Sequence, residues 1–182
     1  MTLSTASQTT WKIDPAHSAA EFRVKHMMIS NVKGRFSGIN GTLNLDEADP
    51  SRSTVEASIP LGTISTGDEQ RDAHLKSPDF FHVEQHPEMT FQSTGIEVKH
   101  PGALAVTGDL SIHGVTKTVT FDVEGPTPPS KDPWGNTRVG LEASAKINRK
   151  DFGLTWNAAL ETGGMLVGED IAITLDVQFI KA

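Results

Sequence analysis

Along most of this chain apolar and polar residues alternate with a period of two, which restricts it to sheets with one buried and one wet face. Ala20, Phe22 and Val24 alternate with Glu21, Arg23 and Lys25. The same spacing aligns Val55, Ala57 and Ile59, then Leu104, Val106, Gly108, Leu110 and Ile112, then Val119, Phe121 and Val123. It recurs in Val139, Leu141, Ala143, Ala145 and Ile147, and closes with Ile171, Ile173, Leu175, Val177 and Phe179. Successive side chains of a strand point to opposite faces, so each run buries one side. Half-buried runs with short links fit an antiparallel sheet rather than a parallel one. About eight strands are expected.

Two runs change parity without a turn. Between residues 32 and 45 one face carries Gly34, Phe36 and Gly38, and the next carries Ile39, Gly41, Leu43 and Leu45. Met89, Phe91 and Ser93 share a face, but Ile96 and Val98, after Gly95, are out of step with them. Such a slip needs a bulge or a sharp bend, which glycine permits. Long bent strands curl a sheet into a barrel. The fold expected is an all-β, antiparallel, eight-stranded barrel, with a sandwich as the rival. Eight strands leave an interior for one small ligand.

One stretch breaks the β pattern. Residues 66–81 read TGDEQRDAHLKSPDFF. Thr66 and Glu69 have the spacing of a capping box, Asp68 and Glu69 put negative charge in a first helical turn, and Pro78 ends the run. The result is a short polar helix carrying Arg71, Asp72 and His74 and ending in Phe80 and Phe81. It is expected after the third strand, as a flap across one end of the barrel. Residues 26–30, HMMIS, read as a short turn, and the glycine-rich residues 154–168 as a rim. Residues 1–10 read as a flexible tail and residues 11–182 as one domain, an ordinary size for a single barrel.

Bulk charge narrows the function. The net charge is −7, against a sequence-independent grip on nucleic acid and against polybasic docking on anionic membranes, short of a local basic patch. There is no cysteine, so disulfides and thiolate chemistry are absent. No apolar run approaches the ~20 residues of a membrane span, and no signal peptide is visible, so a cytoplasmic protein is expected.

Taken together, five stretches resemble the YceI-like family, also called polyisoprenoid-binding proteins. They are FRVKHMMISNVKGRFSGINGTLNLD (residues 22–46), STGDEQRDAHLKSPDFF (65–81), HPEMTFQST (86–94), VTGDLSIHGVTKTVTFDVE (106–124) and INRKDFGLTW (147–156). The resemblance implies an extended lipocalin-like barrel with a long apolar tunnel that takes up a polyisoprenoid or another long-chain lipid. It also implies a homodimer. Many members of the family carry a secretion signal, and this chain departs from that pattern.

The candidate lining of the tunnel is Phe22, Phe36, Phe91, Leu110, Phe121, Phe152 and Trp156, with Phe80 and Phe81 from the flap. The alternative is that these residues simply fill a core. Arg71, Asp72 and His74 are the candidate polar groups of the tunnel mouth. Arg71 there suits an anionic head group, whereas the favoured alternative has Arg71 and Asp72 fixing the flap to the barrel through ion pairs, with Arg149 and Asp151 in the same network. His74, His82 and His86 are close in sequence, but Pro78 and Pro87 interrupt any shared helix and no HExxH pattern occurs, so no metal and no cofactor is expected. Neither a GxSxG elbow nor a phosphate-binding glycine loop is present. The function expected is non-enzymatic binding, sequestration or transport of a long-chain lipid. The alternatives are a lipid ester or amide hydrolase and a ligand-free scaffold.

Overall fold

The computed structural model describes residues 8–161 and 163–182. Its strands are β1 (Gln8–Ile13), β2 (Ala19–His26), β3 (Ser30–Phe36), β4 (Asn40–Asp46), β5 (Thr54–Pro60), β6 (Glu88–His100), β7 (Ala103–Ile112), β8 (Val115–Glu124), β9 (Ser130–Lys131), β10 (Thr137–Asn148) and β11 (Val167–Lys181). One α-helix, α1 (Glu69–Lys76), stands between β5 and β6.

The pairings close a ring in the order β1, β4, β5, β6, β7, β8, β10, β11, with β11 returning to β1, and each is antiparallel. This is the eight-stranded barrel. The remaining strands extend it. After a 3-10 turn capped by Asp14, β2 continues the line of β1 and pairs further along β11, from Asp176 to Val167. β3 pairs with β2 and runs on into β4. So β1 with β2 is one interrupted wall strand, β3 with β4 is the second, and β5 is the third. The helix follows that third strand.

Both parity slips are physical. At the first, the chain breaks between β3 and β4 with Gly38 at φ +72°, a left-handed backbone that glycine adopts without penalty. At the second, the β6–β7 register shifts between Ser93 and Gly95, a bulge that turns Ile96 back to the interior. Of the tail expected over residues 1–10, Gln8, Thr9 and Thr10 are strand residues paired with Asp46, Leu45 and Asn44. The other seven lie outside the described residues.

The flap fills a gap in the wall. β3 has β2 on one edge, while residues 63–65 run along the other. Arg35 and Ser65 exchange backbone hydrogen bonds at 2.9 Å, and Ser37 N–H donates to Thr63 Oγ1 at 3.1 Å. Helix α1 follows. Its N-cap is Asp68, whose carboxylate accepts from Arg71 N–H at 3.0 Å, so the capping box expected at Thr66 and Glu69 is not formed. Gly67, at φ +83°, turns the chain between the two residues, and Thr66 is used elsewhere. Its N–H and its hydroxyl both donate to Asp72 Oδ1, at 2.8 and 2.6 Å.

The two ends of the barrel differ. Strand register sets the β2–β3 hairpin, residues 61–87, the β7–β8 hairpin and residues 149–166 at one end, the mouth. Residues 46–53, the turn at Pro101 and Gly102, and residues 125–136 lie at the other, the base. At the base Arg138 joins two carboxylates, Asp14 and Asp132, at 2.7 Å each. Arg138 holds Asp132 well below the usual carboxylate range, down to about 2, and also lowers Asp14.

Candidate functional site

The barrel encloses a cavity of about 560 Å³, within the ~300–1,000 Å³ usual for a site that buries one small molecule. Its wall is the inward set of the period-2 faces. Ile13, Ala20, Phe22 and Val24 contribute from the first wall strand, and Phe36, Ile39, Leu43 and Leu45 from the second. Val55, Ala57 and Ile59 of β5, Met89, Phe91 and Ile96 of β6, and Leu104, Val106, Leu110 and Ile112 of β7 continue it. Phe121 and Val123, then Leu141, Ala143 and Ile147, and the whole face from Ile171 to Phe179 close the circle.

Eight of the nine apolar residues expected at a tunnel line this cavity: Phe22, Phe36, Phe80, Phe81, Phe91, Leu110, Phe121 and Trp156. The seven aromatic ones stand in three groups. Phe22, Phe36 and Phe81 form a chain with ring centroids 5.6 and 6.0 Å apart. Phe80, Trp156 and His74 form a second, all within 5.3 Å of one another, and this cluster sews the flap to the 154–166 segment. Phe91 and Phe121 meet edge-to-face at 5.2 Å in the middle of the wall. The ninth residue, Phe152, does not line the cavity. It is buried in a packed cluster with Leu110, Ile112 and Leu154, because the 3-10 turn over Arg149–Phe152 carries it out of the strand alternation.

Polar groups line the mouth end of the cavity: Lys25, His26, Gln70, Arg71, His74 and Arg149 among them. Arg71 binds within its own segment, Nε to Thr66 Oγ1 at 2.7 Å and Nη2 to Thr66 O at 2.8 Å. Together with the Asp72 bonds, this clasps α1 to the turn before it. The expected ion pairs from the flap to the barrel are therefore replaced by hydrogen bonds to one threonine. Asp72 points into that clasp and not into the cavity. Arg149 and Asp151 are not in it. Asp151 is exposed, and among the described residues it has no ion pair.

Arg149 does more than its place in a surface turn implies. It is 3% exposed and lines the cavity. Its guanidinium donates to four backbone carbonyls: Gly168 at 2.7 Å, Leu154 at 2.7 Å, Trp156 at 2.9 Å and Val167 at 3.3 Å. Burial pushes its pKa below the usual guanidinium value, partly opposed by Glu169. The fork geometry of arginine lets one side chain tie both ends of the 154–168 segment.

The histidines separate. His74 Nε2 is hydrogen-bonded to the carboxylate of Asp79 at 2.8 Å, at the cavity wall. His86 instead packs against His113, ring centroids 5.0 Å apart, with His82 beyond it at 6.2 Å. Among the described residues no group of three or more His, Asp or Glu is placed to hold a metal ion. Among the described residues no hydroxyl is hydrogen-bonded to the second ring nitrogen of His74. No helix among the described residues is long and apolar enough to cross a membrane.

Reading single aromatic residues missed much of the lining, such as Met89, Ile171, Ile173 and Leu175. Met89 shares a parity with Phe91, and Ile171, Ile173 and Leu175 belong to the alternating run that ends at Phe179.

Comparison with known proteins agrees with this architecture. A model of the YceI-like domain matches residues 11–179. A UPF0312 protein of Staphylococcus aureus strain N315 is 38% identical over 172 residues, 94% of this chain and 97% of that protein. Among solved structures, the YceI protein of Campylobacter jejuni superposes with a TM-score of 0.72 at 29% identity, over 87% of this chain and 90% of that one. BcnA of Burkholderia cenocepacia gives 0.77 at 21% identity, over 91% of this chain and 98% of that one. A polyisoprenoid-binding domain from Saccharophagus degradans gives 0.69 at 13% identity, over 96% and 99%; these last two share the fold.

Proposed function

The chain belongs to the YceI-like domain family, and on that premise we propose that it binds one long-chain apolar lipid, of polyisoprenoid or fatty-acyl type, without chemical turnover. The observation that carries the proposal is the cavity itself: about 560 Å³ of space bounded by inward-facing aliphatic and aromatic side chains. A chain molecule entering it gains about 0.8 kcal/mol for each methylene removed from water, so affinity needs no polar contact along the shaft. The Saccharophagus degradans domain of the same fold is a polyisoprenoid-binding domain, which makes an isoprenoid the first ligand to try. The head group would sit at the mouth, near Arg71, His74 and Arg149. The function is then sequestration or transport, with α1 as the lid.

Native mass spectrometry of freshly purified protein, followed by solvent extraction, tests this. The expected result is a one-to-one adduct that extracts as an isoprenoid or fatty-acyl species, or stoichiometric uptake of such lipids by the emptied protein. An empty protein that takes up neither class overturns the proposal.

A hydrolase is the second reading, and the His74–Asp79 pair at the mouth is the observation behind it. It requires turnover of lipid esters or amides that His74→Ala removes.

A further inference from the structure

We infer that the tip of the β2–β3 hairpin docks the protein on an anionic lipid bilayer. The tip is apolar and turned to solvent. Met27 is 44% exposed, Met28 62% and Ile29 79%, and Met165 beside them is 46% exposed. Met27 and Met28 both adopt left-handed backbone, φ +53° and +63°, in the tight turn closed by Ile29 N–H on His26 O. Asn and Gly suit those two positions; methionine occupies them at a conformational cost.

The tip is also held in place. Met27 N–H donates to Leu166 O at 2.7 Å. Met28 lies over Gly164, where a Cβ would fall 2.1 Å from the Met28 sulfur. Exposure of these side chains is thus a fixed property of the fold and not of a free loop. Single exposed apolar residues are ordinary, but a contiguous patch on a positioned tip is not.

Charge identifies what the tip meets. The outer face of the hairpin carries Arg23, Lys33 and Arg35, with Lys25 at the rim of the cavity; all four are exposed, and none has an ion pair among the described residues. Glu21, opposite Arg35, is the one acid on that face. On the neighbouring strand Asp170 is paired to Lys146 and Glu169 to Lys150, and the exposed Asp176 stands opposite Ala19, at the end of β2 away from the tip. A chain of net charge −7 therefore concentrates unpaired positive charge behind its exposed apolar tip. An apolar wedge backed by basic residues is what inserts at the interface of an anionic membrane. The same segment borders the cavity: Val24, His26, Leu166 and Val167 line it. Docking by this tip sets the mouth against the bilayer.

The experiment is co-sedimentation of the full chain with vesicles of phosphatidylcholine alone or with phosphatidylglycerol added, at low and at physiological salt. Binding is expected to the anionic vesicles, weaker at high salt, and not to the neutral ones. Arg23→Glu with Lys33→Glu should lower it by at least ~25-fold, about five-fold or more for each charge near such a surface. Ile29→Asp, at a site open to solvent, should lower it by about tenfold or more, with circular dichroism confirming the fold of each variant. No binding, equal binding to neutral vesicles, or undiminished binding of folded Ile29→Asp overturns the inference. A concentration-dependent dimer lost in Ile29→Asp, with no vesicle binding, would also overturn it and assign the tip to a second copy of the chain. None of these outcomes depends on what the cavity holds, so failure here leaves the proposed cargo untouched.

Discussion

At the base, the strands end in turns held by local hydrogen bonds and ion pairs; at the mouth, they end in longer segments tied down at a few points. The 46–53 turn buries Asp46 completely, with Oδ1 accepting from Ala48 and Asp49 N–H and its own N–H bound to Ser53 Oγ, while Oδ2 has no hydrogen-bond partner among the described residues and faces Arg52 Nε at 3.8 Å. Arg138, between Asp14 and Asp132, fixes the long 125–136 connection to the wall. The mouth has a different inventory. Helix α1 contains no buried residue and is clasped through Thr66. Arg149 holds the 154–168 segment by its carbonyls rather than by a carboxylate. The left-handed non-glycine residues of the described chain, Met27, Met28, His82 and His113, all fall at this end. Left-handed non-glycine backbone therefore gathers at the mouth, and closed turns at the base.

This contrast can be broken at several points. The largest effect is expected at the wall both ends share. Phe91→Arg places a cation against Phe121 in the apolar middle and should abolish lipid uptake, measured by native mass spectrometry on protein that still gives a β-sheet spectrum. Wild-type uptake by that folded variant would sink the tunnel assignment.

Next is Arg149→Met. It leaves four carbonyls without their donor and should cost about 3 kcal/mol in urea unfolding. Amide exchange should rise in residues 154–168 and stay unchanged at 46–53. Uniform loosening would mean that the two ends are not independent.

Asp72→Ala tests the flap clasp. Loss of its bonds to Thr66 should cost about 1 kcal/mol and speed release of bound lipid, read by stopped-flow transfer to acceptor vesicles. An unchanged release rate at lowered stability would show that α1 is not the lid.

The smallest effect belongs to the base. Asp132 and Asp14 have pKa values depressed by Arg138, so the folded state binds fewer protons there than the unfolded chain. Their contribution is present above the ordinary carboxylate value near 3.8 and is lost as pH falls through the lowered folded values, about 2 for Asp132. Melting temperature should therefore drop across that window, and Arg138→Gln should flatten the drop. An equally steep drop in Arg138→Gln would place the acid sensitivity elsewhere.

Much of this was legible in the chain, residue by residue. The alternation from Ile171 to Phe179 faces the cavity as written, and the parity slips at Gly38 and Gly95 became a strand break and a bulge. The flap was visible because its polarity and Pro78 break the β period. Its N-cap was misplaced by two residues, since Thr66 and Asp68 are both good caps and only the clasp with Asp72 and Arg71 chooses between them.

By itself the sequence determined the sheet, its inward faces and the position of the one helix, because period and turn chemistry are local properties of the backbone. The tertiary structure alone decided that Phe152 fills space while Phe91 borders it, that Arg149 is solvated by carbonyls, and that basic residues of β2 and β3 stand together behind an exposed methionine tip. Those outcomes depend on volumes and charges summed across strands distant in sequence, and a void or a patch exists only once the ring has closed.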